Sequence, residues 1–317
     1  LSTKAGSVFV TSDPTKTVTY ASLAAGQKSG KQMDPKNPPV FKDPTKFTVL
    51  GTSPQRVDIP DKVIGALKYG YDARVDGMVY GRVLHAPSNG AKLSTVDTSA
   101  AEKLTGVVGV VHDGDFVGIA TTRSSQLAPA IAAIKSTWQE SPLQVDDKTM
   151  YDYMKAHHDQ GEYIGNTDPD SAAAAVAKAT KKVTVRVTQP YLSHLPIEPF
   201  AALANVQADK TEIWASTQDP WALQDNVAAF LKVTHDKVIV YGLASGGAYG
   251  RSSVYPNPND VVLEAVRLSQ GLKKPVRVSW QRDEDIMMDR FKPATLIELS
   301  TGLDASGNIV GWRHDLY

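Results

Sequence analysis

The chain has 317 residues, 42% of them apolar and 8% aromatic, with 34 basic residues balancing 34 acidic ones. Its length fits about two domains, its composition is that of a globular protein, and its zero formal charge with no basic stripe or RNA-type aromatic motif excludes nucleic acid as an expected partner. It has no cysteine, which excludes disulfides, thiolate zinc sites, cysteine-ligated iron–sulfur clusters and a cysteine nucleophile within it, and no apolar run nears the ~18 residues that span a bilayer.

In chain order, Leu1–Val10 lacks a long apolar run of the signal-peptide kind and reads as the middle of a strand-and-turn region. The first 46 residues look irregular, because Asp34-Pro-Lys-Asn-Pro-Pro39 and Lys42-Asp-Pro44 cannot continue a helix or a central strand. A connecting arm lying on something larger is expected there. Residues 60–139 read as a compact α+β unit, with strands at Gly77–Leu84, Gly106–Val111 and Phe116–Ala120. Leu127, Ile131, Ile134 and Trp138 form a helical stripe that predicts a helix from Ser125 to Trp138, capped by Ser124 or Ser125. Residues 140–182 are polar, with turn chemistry at Asn166–Asp170 and an alanine-rich, helix-prone run from Ser171 to Lys181. A domain boundary is expected near 140–165.

The remainder alternates strand and helix. Val183, Val185 and Val187 alternate with polar residues as a half-buried strand, and Glu212–Ser216 is a second. Asp219 and Pro220 suit a helix start, followed by an apolar face at Leu223, Val227, Phe230 and Leu231. Val238–Tyr241 is a third strand, a helix runs from about Asn259 to Leu272, and Pro275–Trp280 is a fourth strand. Leu296–Leu303 and Ile309–Tyr317 form a hairpin around Asp304–Asn308. This alternation predicts an α/β layer structure. Both ends of the chain read as cut from something longer.

Between the third strand and its helix lies Gly246-Gly-Ala-Tyr-Gly-Arg251. Three glycines in five residues let a backbone approach a bound group and aim N–H donors at it, although such a cluster also suits a plain turn. It is neither a nucleophile elbow nor a Walker A loop. Gln218 stands where a strand gives way to a helix; it either caps that end or offers donors to a ligand. His194-Leu-Pro-Ile-Glu-Pro199 is a proline-stiffened loop whose glutamate either holds a turn together or faces a site. Arg282-Asp-Glu-Asp-Ile-Met-Met-Asp-Arg290 is a charged turn or carries an arginine that orients a polarised ligand. His157 and His158 are adjacent and so make a poor chelate, and His85, His112, His235 and His314 show no ligand spacing.

In combination these segments resemble the large, molybdenum-binding subunit of the xanthine dehydrogenase/aldehyde oxidase family, in the branch of isoquinoline 1-oxidoreductase β subunits and similar bacterial aldehyde dehydrogenases. Trp214-Ala-Ser-Thr-Gln-Asp-Pro220 resembles the family's Trp-x-x-Thr-Gln-x-Pro. His194–Pro199 resembles His-x-x-Met-Glu-Pro with Ile197 for Met, and Gly246–Arg251 resembles Gly-Gly-Gly-Phe-Gly-Arg with Ala248 and Tyr249 substituted. Arg282–Pro293 resembles Arg-Glu-Glu-Asp…Arg-x-Arg-Pro with Lys292 for an arginine, while Ala201 and Ala202 depart from the usual asparagine and threonine. Thr17–Leu23 resembles the branch's segment ahead of its first conserved-fold domain, and Phe47–Asp61 and Gly77-Met78 resemble the entry into its α/β hammerhead domain.

The resemblance implies a mixed α+β and α/β chain. An extended connecting arm would span 1–59, an α/β hammerhead-like domain 60–145, and the first part of a molybdopterin-binding domain 146–317. It implies a molybdenum–molybdopterin cofactor in its cytosine dinucleotide form, which inserts water-derived oxygen into a C–H bond of an aldehyde or N-heterocycle. The implied cofactor-binding residues are Gln218, Gly247, Ala248, Tyr249, Gly250 and Arg251, with Gln218 and the backbone near Tyr249 and Gly250 donating to the metal's oxo ligand. Arg290 would lie near the substrate pocket and Ser253 at its wall. No residue here would ligate the metal, and the general-base glutamate would lie outside this chain. The implied partners are the remaining part of the large subunit, an iron–sulfur subunit with 2Fe-2S clusters, and a cytochrome c acceptor, in a periplasmic or membrane-associated setting. A non-catalytic structural or binding module on the same fold is the alternative. A metal-free hydrolase is disfavoured, because no nucleophile, histidine and acid constellation can be drawn.

Overall fold

A computed structural model describes residues 1–26, 33–143, 145–159, 168–252 and 260–317. The chain divides into two units, residues 1–59 and 60–317. In the first, β1 (Ser2–Lys4), β2 (Ser7–Val10) and β3 (Asp13–Thr19) form an antiparallel meander. The start of the chain is therefore regular sheet, as the strand-and-turn reading of Leu1–Val10 expected and unlike the irregular segment expected over the first 46 residues as a whole. The Thr19 hydroxyl accepts from the Ser22 N–H and caps α1 (Tyr20–Ala24). The prolines from Pro35 to Pro44 do what their ring geometry dictates, and among the described residues 33–58 hold no strand. Helix α2 (Ile59–Val63) begins at the division.

The second unit continues with β4 (Val79–Val83), β5 (Lys92–Asp97), α3 (Ser99–Glu102), β6 (Val107–Asp113) and β7 (Phe116–Thr121). Next come α4 (Leu127–Ala132), β8 (Lys135–Gln139), α5 (Met150–Ala156), α6 (Pro169–Lys178) and β9 (Lys181–Gln189). Then follow β10 (Ala201–Val206), β11 (Thr211–Ala215), α7 (Pro220–Leu231), β12 (Val238–Gly242) and α8 (Asp260–Leu272). The last elements are β13 (Val276–Ser279), α9 (Arg282–Met287), β14 (Thr295–Leu303) and β15 (Ile309–Leu316). The helix expected to run to Trp138 stops at Ala132, and Lys135–Gln139 instead pairs with Lys92–Asp97.

A seven-stranded sheet in the order β12-β11-β10-β13-β4-β7-β6 organises this unit, drawing strands from both sides of residue 145. Strand β10 is antiparallel to β11 and β13, while β11 is parallel to β12 and β13 to β4. Strands β11, β12 and β13 therefore all run the same way, and β10 enters where they end. Asp219 caps α7, its carboxylate accepting from the Ala222 N–H at 3.0 Å, with Pro220 in the first turn. Helices α7 and α8 bury Leu223, Val227, Val261, Val262, Ala265, Val266 and Leu268 against the sheet. Leu268 nests where β4 and β7 carry Gly81 and Gly118; a Cβ on either would come within 2.7 Å of it. Burying one such leucine contributes about 1.5–3 kcal/mol. Strand β7 is buried on both faces: Phe116 and Ala120 join that core, while Val117 and Ile119 join a second one with Ala101, Ala130 and Ile134.

Strands β15, β14 and β9 form a separate antiparallel sheet. Register places Val183, Val185 and Val187 on one face with Thr301, Leu299 and Ile297, and with Trp312 and Leu316 beyond. These valines, Trp312 and Leu316 are exposed. On the other face Lys155 of α5 pairs with Glu298, and Arg186 with Asp152.

Candidate functional site

The strand directions bring four loops to one edge of the seven-stranded sheet. They are the exits of β11 (Gln218), β12 (the glycine loop) and β13 (Arg282–Arg290), and the entry to β10 (His194–Pro199). The carboxyl ends of parallel neighbours are where α/β sheets bind ligands. Distance along the chain hides this meeting; strand register creates it.

Glu198 holds two of the loops. Its Oε1 accepts from the Tyr71 N–H at 3.0 Å and its Oε2 from the Gly246 N–H at 3.1 Å. A Cβ on Gly246 would lie 2.3 Å from Glu198 Cβ and 2.9 Å from its backbone nitrogen, so only glycine fits. Of the two readings open for this glutamate, the turn-holding one describes what its carboxylate does. Tyr71 is itself fixed, its phenol donating to the Trp280 carbonyl, and burial followed by the charges of Glu284 and Glu198 pushes that phenol up to about 12.

Asp289 holds the other pair. It accepts from the Ser193 hydroxyl at 2.7 Å, the His194 N–H at 2.6 Å and His194 Nδ1 at 3.0 Å. It also pairs with the guanidinium of Arg251 at 3.1 Å; both side chains are almost fully buried, at 3% and 2% exposure. Burial pushes the Asp289 carboxyl up, but the His194 N–H, the Ser193 hydroxyl and the His194 ring together outweigh it and hold it below its ordinary value. Arg251 stacks over Phe200 and Trp280, with its guanidinium 5.3 and 5.8 Å from the ring centroids, and donates to the Met288 carbonyl. Arg282 braces the third corner: it donates to the Pro196 and Ile197 carbonyls and pairs with Asp285 at 2.6 Å. Burial keeps the Asp285 carboxyl above its usual range despite that cation. The segment Arg282–Met287, read from sequence as a turn, is a short helix whose start is capped by Glu284 accepting from the Gln281 N–H at 2.7 Å.

These anchors frame a cleft of roughly 640 Å³, lined by His194, Tyr249, Gly250, Arg251, Arg290 and Lys292 among others. Tyr249 has a positive φ of 52° and is exposed, and Gly250 follows at 103°. The left-handed turn this creates is what lets the loop fold over the cleft rim. Of the residues singled out from sequence, Tyr249, Gly250, Arg251 and Arg290 thus share one cleft. Gly247 and Ala248 belong to the same loop, the Ala248 carbonyl accepting from the Arg251 N–H. Gln218 is exposed and is tied to the loop through Ser252: its N–H donates to the Ser252 carbonyl at 3.2 Å, and its Oε1 accepts from the Ser252 hydroxyl at 3.4 Å. Ser253 lies outside the described residues. Sequence reasoning missed Asp289, the residue that ties His194 to Arg251. Its only signal was its place beside Arg290, because His194 is 95 residues away.

A second buried cluster lies elsewhere in the sheet. His85 bonds Glu264 at 2.6 Å, Arg82 pairs with Glu284 at 2.9 Å, and Trp280 donates to Glu264 at 2.7 Å. Burial lowers the His85 imidazole, but the Glu264 bond and charge, with Glu284, raise it above its ordinary value overall.

Residues 154–317 match the molybdopterin cofactor-binding domain family. The chain belongs to that family. It is 29% identical over 305 residues to a subunit of nicotinate dehydrogenase from Pseudomonas putida, covering 93% of this chain and 25% of that protein. It is 25% identical over 289 residues to the β subunit of isoquinoline 1-oxidoreductase from Brevundimonas diminuta, covering 86% and 36%. Its fold is like that of quinoline 2-oxidoreductase from Pseudomonas putida 86, with a TM-score of 0.71 at 18% identity over 86% of this chain and 39% of that one. The molybdopterin-binding chain therefore spans between 25% and 39% of the length of these proteins.

The residues at the sheet edge fit such a cofactor. Among the described residues no three His, Asp or Glu converge to hold a metal ion. What the cleft offers is cationic: Arg290 and Lys292, beside a loop whose backbone is left-handed at Tyr249 and Gly250. The loop suits an anionic group, and the two cations suit a polarised or anionic oxygen.

Proposed function

We propose that this chain forms part of the large subunit of a molybdenum hydroxylase that oxidises aldehydes or N-heterocycles. The observation that carries the reading is the glycine loop, braced from behind by Glu198 and Asp289, at the rim of a cation-lined cleft. When bound, the cofactor supplies insertion of a water oxygen into a substrate C–H bond, with two electrons and two protons leaving. The chain's own residues position and polarise. The Gln218 amide and the N–H groups near Tyr249 and Gly250 aim donors at the metal end of the cofactor, and Gly247, Ala248 and Arg251 shape the loop that carries them. Arg290 orients the substrate in the cleft, with Ser253 at its wall. The general base, a glutamate, comes from outside this chain.

The finer assignments rest on the motif resemblance. They are a hammerhead-like region over 60–145 following an arm over 1–59, a cofactor domain from 146 onward, the cytosine dinucleotide form of the cofactor, and a periplasmic or membrane-associated location. The partners are the rest of the large subunit, a 2Fe-2S subunit and a cytochrome c acceptor. The exposed apolar strip of Val183, Val185, Val187, Trp312 and Leu316 supports a chain that works against further polypeptide. The relatives are oxidoreductases by name, which favours this reading over a non-catalytic module on the same fold. Turnover of an N-heterocycle by the complete enzyme in heavy-oxygen water tests it. Label from the water is expected in the product; unlabelled product formed from dioxygen contradicts it.

A further inference from the structure

His194 lines the cleft, and the proposed function gives it no task. Its ring is held from one side. Nδ1 lies 3.0 Å from Asp289 Oδ1, and the same carboxylate binds the residue's own N–H, the Ser193 hydroxyl and Arg251. An ionised carboxylate only accepts, so Nδ1 carries the proton and donates. In the neutral ring the acceptor is then Nε2. Nε2 has no partner among the described residues. A Cβ on Gly250 would lie 3.9 Å from it, which places this nitrogen at the Gly250 side of the cleft. Asp289, itself paired with the buried Arg251, thus locks an imidazole whose open atom is, in the neutral ring, a hydrogen-bond acceptor, in a cleft whose other polar lining includes the donors Arg290 and Lys292.

We infer that His194 is a specificity-determining residue, whose Nε2 accepts a hydrogen bond from a ring N–H of the bound ligand while the cationic side of the cleft takes the ligand's oxygen. The ligand class this selects is the flat aromatic lactam, which carries an N–H beside a carbonyl. A lactam is also the stable form of an N-heterocycle oxidised at the carbon next to its nitrogen, so the pair recognises the product side of the reaction. The inference rests on the reading that this cleft binds the substrate and product of the proposed oxidation.

The test is a calorimetric titration of the complete enzyme with carbostyril, a bicyclic aromatic lactam, and with its N-methyl derivative, which lacks the N–H. The wild-type enzyme is expected to bind carbostyril more tightly by about tenfold, the usual effect of leaving one buried acceptor unpaired. In His194→Leu the preference should fall to near unity, and in His194→Gln, whose amide oxygen can accept, part of it should return. An unchanged preference in His194→Leu overturns the inference. So does equal binding of the two probes, or no binding of carbostyril, in the wild type, a comparison that needs no variant to fold. Molybdenum analysis of the same preparations reads the proposed function separately. A metal-free wild type would contradict the proposed function, and the inference with it; a molybdenum-loaded wild type without the preference would overturn the inference alone.

Discussion

Glu198 and Gly246 meet so closely that no side chain fits at 246: the glycine N–H donates to the Glu198 carboxylate at 3.1 Å, and a Cβ there would lie 2.3 Å from Glu198 Cβ. This contact fixes where the glycine loop begins, and with it the position of Tyr249 and Gly250 over the cleft. Gly246→Ala should destabilise the fold by about 1–3 kcal/mol through overpacking. Because the strain falls on the loop that carries the donors, cofactor content of the complete enzyme should fall with it. Thermal unfolding and molybdenum analysis of one variant check both. A wild-type melting midpoint would show that the contact relaxes without cost.

Arg251 and Asp289 form a buried pair at 3.1 Å. Asp289→Ala removes the carboxylate from this buried pair and from its bonds to Ser193 and His194, so it should cost about 3–5 kcal/mol in denaturant unfolding. The acid limb carries a second signature. Asp289 has its carboxyl held below its ordinary value, so its contribution is present above the unfolded value of about 3.9 and is lost as pH falls through the lower folded value. Asp289→Asn should flatten that loss.

The neighbouring His85 titrates the other way. Glu264 and Glu284 raise it against the opposing effect of burial, so its contribution is complete below about 6.5 and is lost as pH rises through the folded value. Unfolding free energy should therefore decline on the alkaline side of pH 6.5, and His85→Gln should remove that part of the decline. A variant that keeps the wild-type slope would show that the Glu264 bond does not favour the charged ring.

Much of this was legible in the sequence where local chemistry decides structure. Valine alternation marked β9, the Asp219–Pro220 cap marked α7, and the Asp304–Asn308 turn marked the final hairpin. Three cases show why the rest was not. Half of strand β10 is alanine, which carries no β signal, and it is a strand because β11 and β13 pair with it on either side. Trp138 fell on the helical stripe of Leu127, Ile131 and Ile134 by coincidence, and the pairing of Lys135–Gln139 with β5 overrode it. The pairing of His194 with Asp289 depends on two loops meeting at the sheet edge, which no periodicity records. The site motifs were visible as residues; the anchors behind them, Tyr71 for Glu198 and Asp289 for Arg251, needed the fold.

Gln218 separates a structural role from a catalytic one. It is exposed, and its side chain is tied by one long bond to Ser252 at 3.4 Å. Gln218→Ala should change stability by no more than about 1 kcal/mol. Turnover of the complete enzyme should fall by roughly 10²-fold or more, as expected when a preorganised donor at a reacting centre is lost. Unchanged turnover at full metal occupancy would remove Gln218 from the site.

The most direct measurement is the molybdenum content of the intact complex containing this chain, purified from cells supplied with molybdate. The account predicts about one molybdenum per copy of the chain, released together with a pterin on denaturation. A stable, fully assembled complex that contains no molybdenum under those conditions would contradict it.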